Sequence, residues 1–230
     1  MKKIVMVIAA HPDDEILGCG GTMAKHSAAG DEVHVIFLAE GLTARDEKFS
    51  SDRWAKEQAK RTQAAHQANR VLGVRSVTIH NYPDNRLDSV DLLDLVKKIE
   101  TLKKKIRPQI VYTHHAGDVN IDHRRVHDAV IAASRPVPGE SIKTVLFFEV
   151  ASSTEWRPAA SGQPFNPDWF VDISSTLKKK IKALGCYGEE MRPWPHSRSL
   201  KAVEHLAHWR GATIGAEAAE AFVLGRNIVS

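Results

Sequence analysis

Short apolar, largely β-branched runs recur along the first two thirds of the chain, at 4–10, 33–39, 77–80, 110–113 and 145–150. Continuous runs of this length suit strands buried on both faces of a parallel sheet. Between them apolar residues return at helical spacing, over 15–29 ended by Gly30, about 52–72 ended by Gly73, 90–106 stopped by Pro108, and 123–134 stopped by Pro136. Glycine accepts the left-handed residue that closes a helix, and proline cannot continue one. The alternation predicts an α/β fold: a Rossmann-like, doubly wound, mostly parallel sheet with helices on both faces. Beyond it, 151–168 is rich in Ser, Pro and Trp and has no period, so the segment 151–170 is expected to roof an active site as a long loop. Two more helices, 174–184 and 198–214, and an apolar tail at 219–224 form a C-terminal helical extension. No repeat, low-complexity stretch or linker divides the chain, and 1–230 is expected to be a single domain.

Composition changes this picture little. The 230 residues are 43% hydrophobic and 26% charged, ordinary for a globular domain able to bury a core. With 32 basic against 28 acidic residues, the net charge of +4 is too mild and too evenly spread to imply nucleic acid. The tight basic runs, Lys103 to Lys105 and Lys178 to Lys180, lie inside helical patterns and are expected on solvated faces. Two cysteines, Cys19 and Cys186, exclude a disulfide-dense scaffold or a Cys-based zinc finger and read as small buried side chains. The first apolar run is too short to span a bilayer and meets His11 with no small-residue cleavage site, so a cytoplasmic protein is the expectation. Nothing in the sequence forbids a homo-oligomer that completes the pocket. Twelve histidines are what composition leaves open.

Two segments place metal-ligand residue types just beyond strands, where ligands bind in an open α/β sheet. The first, Ala10-His11-Pro12-Asp13-Asp14-Glu15, follows the first strand and opens a helix. Pro12 fixes a turn that lets His11 and the carboxylates face one point. The second, Asn120-Ile121-Asp122-His123, follows the fourth strand. Asp122 as N-cap would put His123 in the first turn of the next helix. Two imidazoles, one carboxylate and an open position form a common catalytic zinc shell. Taken singly, each segment also fits helix capping or a structural histidine. Together at one sheet edge they favour a metal.

His11-Pro12-Asp13-Asp14-Glu15 with Gly18-Cys19-Gly20-Gly21-Thr22, followed by Asp122-His123, resembles the signatures of the PIG-L (LmbE-like) zinc de-N-acetylases. The resemblance extends through Arg61, Ala68, Leu72-Gly73, Pro83-Asp84, Pro195-His196-Ser197-Arg198-Ser199 and Ala219-Glu220-Ala221-Phe222. It implies one zinc held by His11, Asp14 and His123, with Asp13 as general base. It also implies hydrolysis of an acetamide on an N-acetylglucosamine-type substrate, nucleotide-linked or a glycoconjugate precursor. Arg61, Asp84 and Asp122 are expected near the substrate, with Asp122 also able to cap its helix or orient Asn120. Another divalent metal would suit the same ligands.

Two departures stand out. Many family members carry a histidine where this chain has Asn120, which can donate to an oxyanion but cannot act as an imidazolium acid. His196 is the candidate replacement. The family's acidic residue three after the arginine is Ala64 here. Gly18, Gly20 and Gly21 suggest close helix packing, because Met23 stands where a dinucleotide loop would need its third glycine. One of His114 and His115 is expected to reach the pocket, and Trp156 or Trp169 could stack on a sugar ring. Competing readings are an amidase acting on thiol-sugar conjugates or another small amide, and a non-catalytic sugar-binding protein. A metallophosphatase would need more ligands than these segments supply.

Overall fold

The computed structural model describes residues 2–42 and 51–229. In chain order its elements are β1 (Ile4–Ala9), α1 (Asp14–Ala28), β2 (Glu32–Ala39), α2 (Ser51–Val71), β3 (Ser76–Tyr82), α3 (Leu92–Ile106), β4 (Ile110–His114), α4 (Ile121–Ala133), β5 (Thr144–Phe148), β6 (Trp169–Asp172), α5 (Leu177–Leu184), α6 (Leu200–Thr213) and β7 (Ala219–Asn227). Among the described residues the strands form one sheet in the order β3-β2-β1-β4-β5-β7-β6. The first five are parallel, and β7 and β6 add an antiparallel edge. The doubly wound α/β expectation is met.

Alternate residues of the central strands feed two cores. Val5, Val7, Val35 and Phe37 pack with Ile16, Leu17, Ala65, Leu72 and Leu184 on one face. Met6, Ile8, Ile36 and Leu38 pack with Leu95, Ile99, Val126 and Val130 on the other. Both faces are therefore covered, which is why the strands read as continuous apolar runs. The winding reverses between β1 and β4, and loops leaving their carboxyl ends converge there.

The C-terminal third departs from expectation. The apolar tail is a nine-residue strand, and Trp169 begins another strand instead of ending a loop. Trp169, Phe170 and Val171 are only half buried at this sheet edge, so their pattern carries little period. The cap of α4 is Asn120, not Asp122: its side chain accepts the Asp122 N–H at 2.8 Å. Lys180 does not join Lys178 and Lys179 in solvent but is 3% exposed. Cys19 is buried as expected, whereas Cys186 is half buried, and both are free thiols. The glycine packing is borne out. A Cβ on Gly18 would come within 2.3 Å of the Phe148 ring, and one on Gly21 within 2.7 Å of Ile173. No helix of the described residues is long and apolar enough to cross a membrane.

Candidate metal centre

The turn leaving β1 and the start of α4 face each other across the switch point. Asp13 has φ 117° and ψ −28°, a left-handed conformation costly for a non-glycine residue. It is over-determined: its carbonyl accepts the N–H groups of Ile16 and Leu17, and its own N–H donates to Glu15 Oε2 at 2.9 Å. This sharp turn brings the side chains of His11 and Asp14 together. On the other side, the Asn120 cap sets His123 in the first turn of α4, as expected from sequence.

Three side chains meet around Asp14 Oδ2. His11 Nδ1 lies 3.3 Å from it and His123 Nε2 3.2 Å. Among the described residues His123 Nε2 is buried without a hydrogen-bond partner, so its closeness to Asp14 is not hydrogen-bond geometry. Two ligands aimed at a shared ion stand in this way. The far nitrogen of each ring is held by carboxylates: His11 Nε2 lies 3.0 Å from both Asp84 and Asp122, and His123 Nδ1 lies 3.1 Å from Asp118. Carboxylate–imidazole pairs of this kind fix the tautomer and ring orientation of metal-ligating histidines. The donor set His11, Asp14 and His123, all buried, therefore fits a divalent ion with an open position. The alternative grouping of His11, Asp84 and Asp122 fits less well. Asp122 already accepts the N–H groups of Asn85 at 2.8 Å and Leu87 at 2.9 Å.

Charge in the site favours a cation. Burial works against protonation of His123, but Asp14 and Asp118 outweigh it and push its pKa up to about 9. His11 is likewise raised, the carboxylates of Asp122, Asp14 and Asp84 overcoming burial. Asp14 is held well below the usual carboxylate range despite burial, by His123 and His11. His114 goes the other way, its imidazolium disfavoured by burial and by His123. It stacks on His123 at 3.9 Å and accepts the Ala10 N–H on Nε2 at 2.8 Å.

The polar cleft beside these side chains has a volume of about 90 Å³, and Asp13, Asn120, Arg61 and Arg198 are among the residues lining it. Asp13 is pushed up to about 6, mainly by burial, with Arg198 opposing. Arg198 Nη1 donates to Asp13 Oδ2 at 3.0 Å and Nε to Ser152 Oγ at 2.9 Å. Asp13 Oδ1 has no hydrogen-bond partner among the described residues. Arg61 is anchored by Glu190 and by the Pro12 carbonyl. Glu15, raised by burial to about 8, accepts from Asn69 and from the Tyr187 hydroxyl at 2.8 Å.

Of the residues singled out from sequence, His11, Asp13, Asp14, Asn120, His123, Arg61 and Asp84 converge on the cleft. Asp122 lies fully buried behind His11 instead of facing the opening. His196 is not among the lining residues; its Nδ1 accepts the Arg198 N–H at 3.0 Å, and its ring meets Trp156. The guanidinium two residues on enters the cleft in its place. His114 supports His123 from behind, while His115 turns to the Gln163 carbonyl and Phe165. Trp156 is exposed, and Trp169 packs against the core. Sequence reasoning missed Asp118 and Arg198. Asp118 stands five residues before His123, in the same segment. Its carboxylate also takes the hydroxyls of Ser153 and Thr154, tying the segment after β5 to His123.

A family model described as PIG-L, GlcNAc-PI de-N-acetylase, matches residues 6–134. The chain is 28% identical over 216 residues to a 4-oxalmesaconate hydratase of Pseudomonas putida, covering 85% of this chain and 77% of that protein. It is 25% identical over 191 residues to a probable N-acetyl-alpha-D-glucosaminyl L-malate deacetylase 2 of Bacillus cereus, covering 81% and 83%. The solved structure of N,N'-diacetylchitobiose deacetylase from Pyrococcus horikoshii matches with a TM-score of 0.77 at 22% identity, over 97% of this chain and 84% of that one. At that identity the likeness speaks for the fold.

Proposed function

The chain belongs to the PIG-L de-N-acetylase family, and on that premise we propose that it is a zinc-dependent hydrolase removing the acetyl group from an N-acetylglucosamine-type substrate, nucleotide-linked or a glycoconjugate precursor. The observation that carries this reading is the convergence of His11, Asp14 and His123, each imidazole backed by carboxylate, beside a buried Asp13 oxygen with no hydrogen-bond partner among the described residues. Zinc bound there would polarise the acetyl carbonyl and make water acidic near neutrality.

The chain's own residues supply the rest. Asp13 takes the proton from the attacking water on Oδ1 and returns it to the leaving amine. Arg198 fixes the carboxylate through Oδ2, so one oxygen is always presented to the cleft. Asn120 has its Oδ1 committed to the α4 cap, which leaves its amide NH₂ to face the cleft as a donor. That group would steady the oxygen that gains charge as the carbonyl is attacked. With no imidazolium in this slot, protonation of the amine falls to Asp13. Asp84 and Asp122 hold His11, and Arg61, which also lines the cleft, orients the substrate.

Asn120, together with the guanidiniums of Arg198 and Arg61 in the cleft, also favours a second reading: addition of water to an unsaturated carboxylate. The Pseudomonas putida hydratase aligns with most of the chain, and arginines suit a substrate carboxylate. Incubating the zinc-loaded protein with N-acetylated amino sugars, free and nucleotide-linked, and in parallel with conjugated unsaturated dicarboxylates, separates the two. Released acetate supports the deacetylase. Loss of ultraviolet absorbance from the dicarboxylates with no acetate from any sugar supports the hydratase instead.

A further inference from the structure

Helix α1 is broken at Cys19, whose φ of −146° and ψ of 24° are not helical. A regular helix would join the Leu17 carbonyl to the Gly21 N–H, four residues on. Here the buried side chains of Lys180, from α5, and Glu220, from β7, stand at those two atoms. Lys180 Nζ donates to the Leu17 carbonyl at 2.9 Å and to Glu220 Oε1 at 2.6 Å. Glu220 Oε1 accepts the Gly21 N–H at 2.9 Å, and Oε2 accepts the Thr22 N–H at 2.7 Å. An ion pair is thus spliced into the helix ladder at the break. Each charge is met by backbone groups of opposite polarity, which lets a buried pair persist.

The splice lies one turn from the candidate centre. Leu17, whose carbonyl Lys180 holds, donates its own N–H to the carbonyl of Asp13 at 3.0 Å. Asp13 is the residue held in the left-handed conformation between His11 and Asp14. We propose that Lys180 and Glu220 are positioning residues for this turn: they anchor the first turn of α1 so that Asp13 and Asp14 stand at the angle His11 and His123 require. In its metal aspect this rests on the zinc reading above. The pair touches neither the cleft nor the ligands, so its effect passes through the backbone of Leu17. The direction of each bond matters, because Leu17 needs a donor and Gly21 and Thr22 need acceptors.

The test compares Lys180→Met with Lys103→Met, which breaks an ion pair to Glu140 far from α1. Amide exchange at Leu17 and Ile16 is read in metal-free protein, and zinc affinity by chelator competition, both well below either variant's Tm. Lys180→Met is expected to speed exchange at Leu17 about tenfold or more, the worth of one hydrogen bond to a charged group. It should also weaken zinc binding by about tenfold. Lys103→Met should change neither. Wild-type exchange and zinc affinity in folded Lys180→Met would overturn the proposal, as would equal changes in Lys103→Met. If Lys180→Met does not fold, Glu220→Gln, which keeps one oxygen for the two N–H groups, should move both readouts the same way by less; wild-type values there overturn it. A wild-type protein that binds no zinc refutes the metal reading alone, since amide exchange still tests the splice.

Discussion

Replacing Asp118 by Asn changes one atom of the group that orients His123. Asp118 Oδ1 accepts the Asn120 N–H at 2.8 Å and the Ser153 hydroxyl, while Oδ2 faces His123 Nδ1 at 3.1 Å and takes the Thr154 hydroxyl at 2.7 Å. An amide NH₂ cannot stand against the Asn120 N–H, so the substituted side chain must keep its oxygen there and turn the NH₂ toward His123. His123 Nδ1 then becomes an acceptor and Nε2 carries the proton, the tautomer that cannot bind a metal. Loss of such a carboxylate partner lowers metal affinity by about 10- to 100-fold, or about 1.4–2.7 kcal/mol. The metal-free fold should lose about 1–3 kcal/mol, because the Thr154 hydroxyl, which already accepts the Val150 N–H, loses its own acceptor. Zinc affinity of Asp118→Asn by chelator competition, with urea denaturation of the metal-free protein alongside, measures both. A folded variant that binds zinc as tightly as wild type would refute the claim that Asp118 sets the His123 tautomer.

Asp13→Asn should still bind zinc yet lose at least about 100-fold in turnover, as removal of a general base requires; retained turnover at full metal loading would remove Asp13 from the mechanism. Gly18→Ala drives a methyl into the Phe148 ring and should destabilise the protein by about 1–3 kcal/mol in urea denaturation. Partial burial raises the Glu140 carboxyl, but the hydrogen bond and charge of Lys103 together with the backbone N–H groups of Ile142 and Ser141 outweigh it and hold the group below its ordinary 4.5. A depressed acid stabilises the fold above its unfolded pKa and ceases to as pH falls through the folded value. The Tm gap between wild type and Lys103→Met should therefore be widest above about pH 4.5 and close as the pH drops below it; a gap that widens in acid would contradict this assignment.

The order of β1 to β5 and the placement of His11, Asp13, Asp14 and His123 were legible because both rest on short-range pattern. Strands buried on two faces are continuous apolar runs, and each candidate ligand segment lies in the connection that leaves the carboxyl end of a strand. Asp122 misled as a helix cap because Asn120, two residues earlier, has the same capping chemistry and a better position. Arg198 reaches Asp13 across 185 residues, a contact created only when the turn before α6 folds back over the sheet edge. Lys180 left a signal that the basic run concealed. It lies three residues after Leu177 and four before Leu184, on the helical face that those residues bury. The edge strand β6 was not legible, since a half-exposed segment next to a turn-rich stretch shows no period of its own, and β7 showed only as an apolar tail because its second half is partly exposed.

Acetate release as zinc is titrated into metal-free protein, with an N-acetylglucosamine-type substrate in excess, tests the central claim most directly. One ion held by His11, Asp14 and His123, serving Asp13 beside it, predicts acetate rising in proportion to zinc, levelling off at one equivalent per chain, and absent in Asp13→Asn at full loading. Acetate that is absent at every loading, or that is independent of zinc, would contradict it.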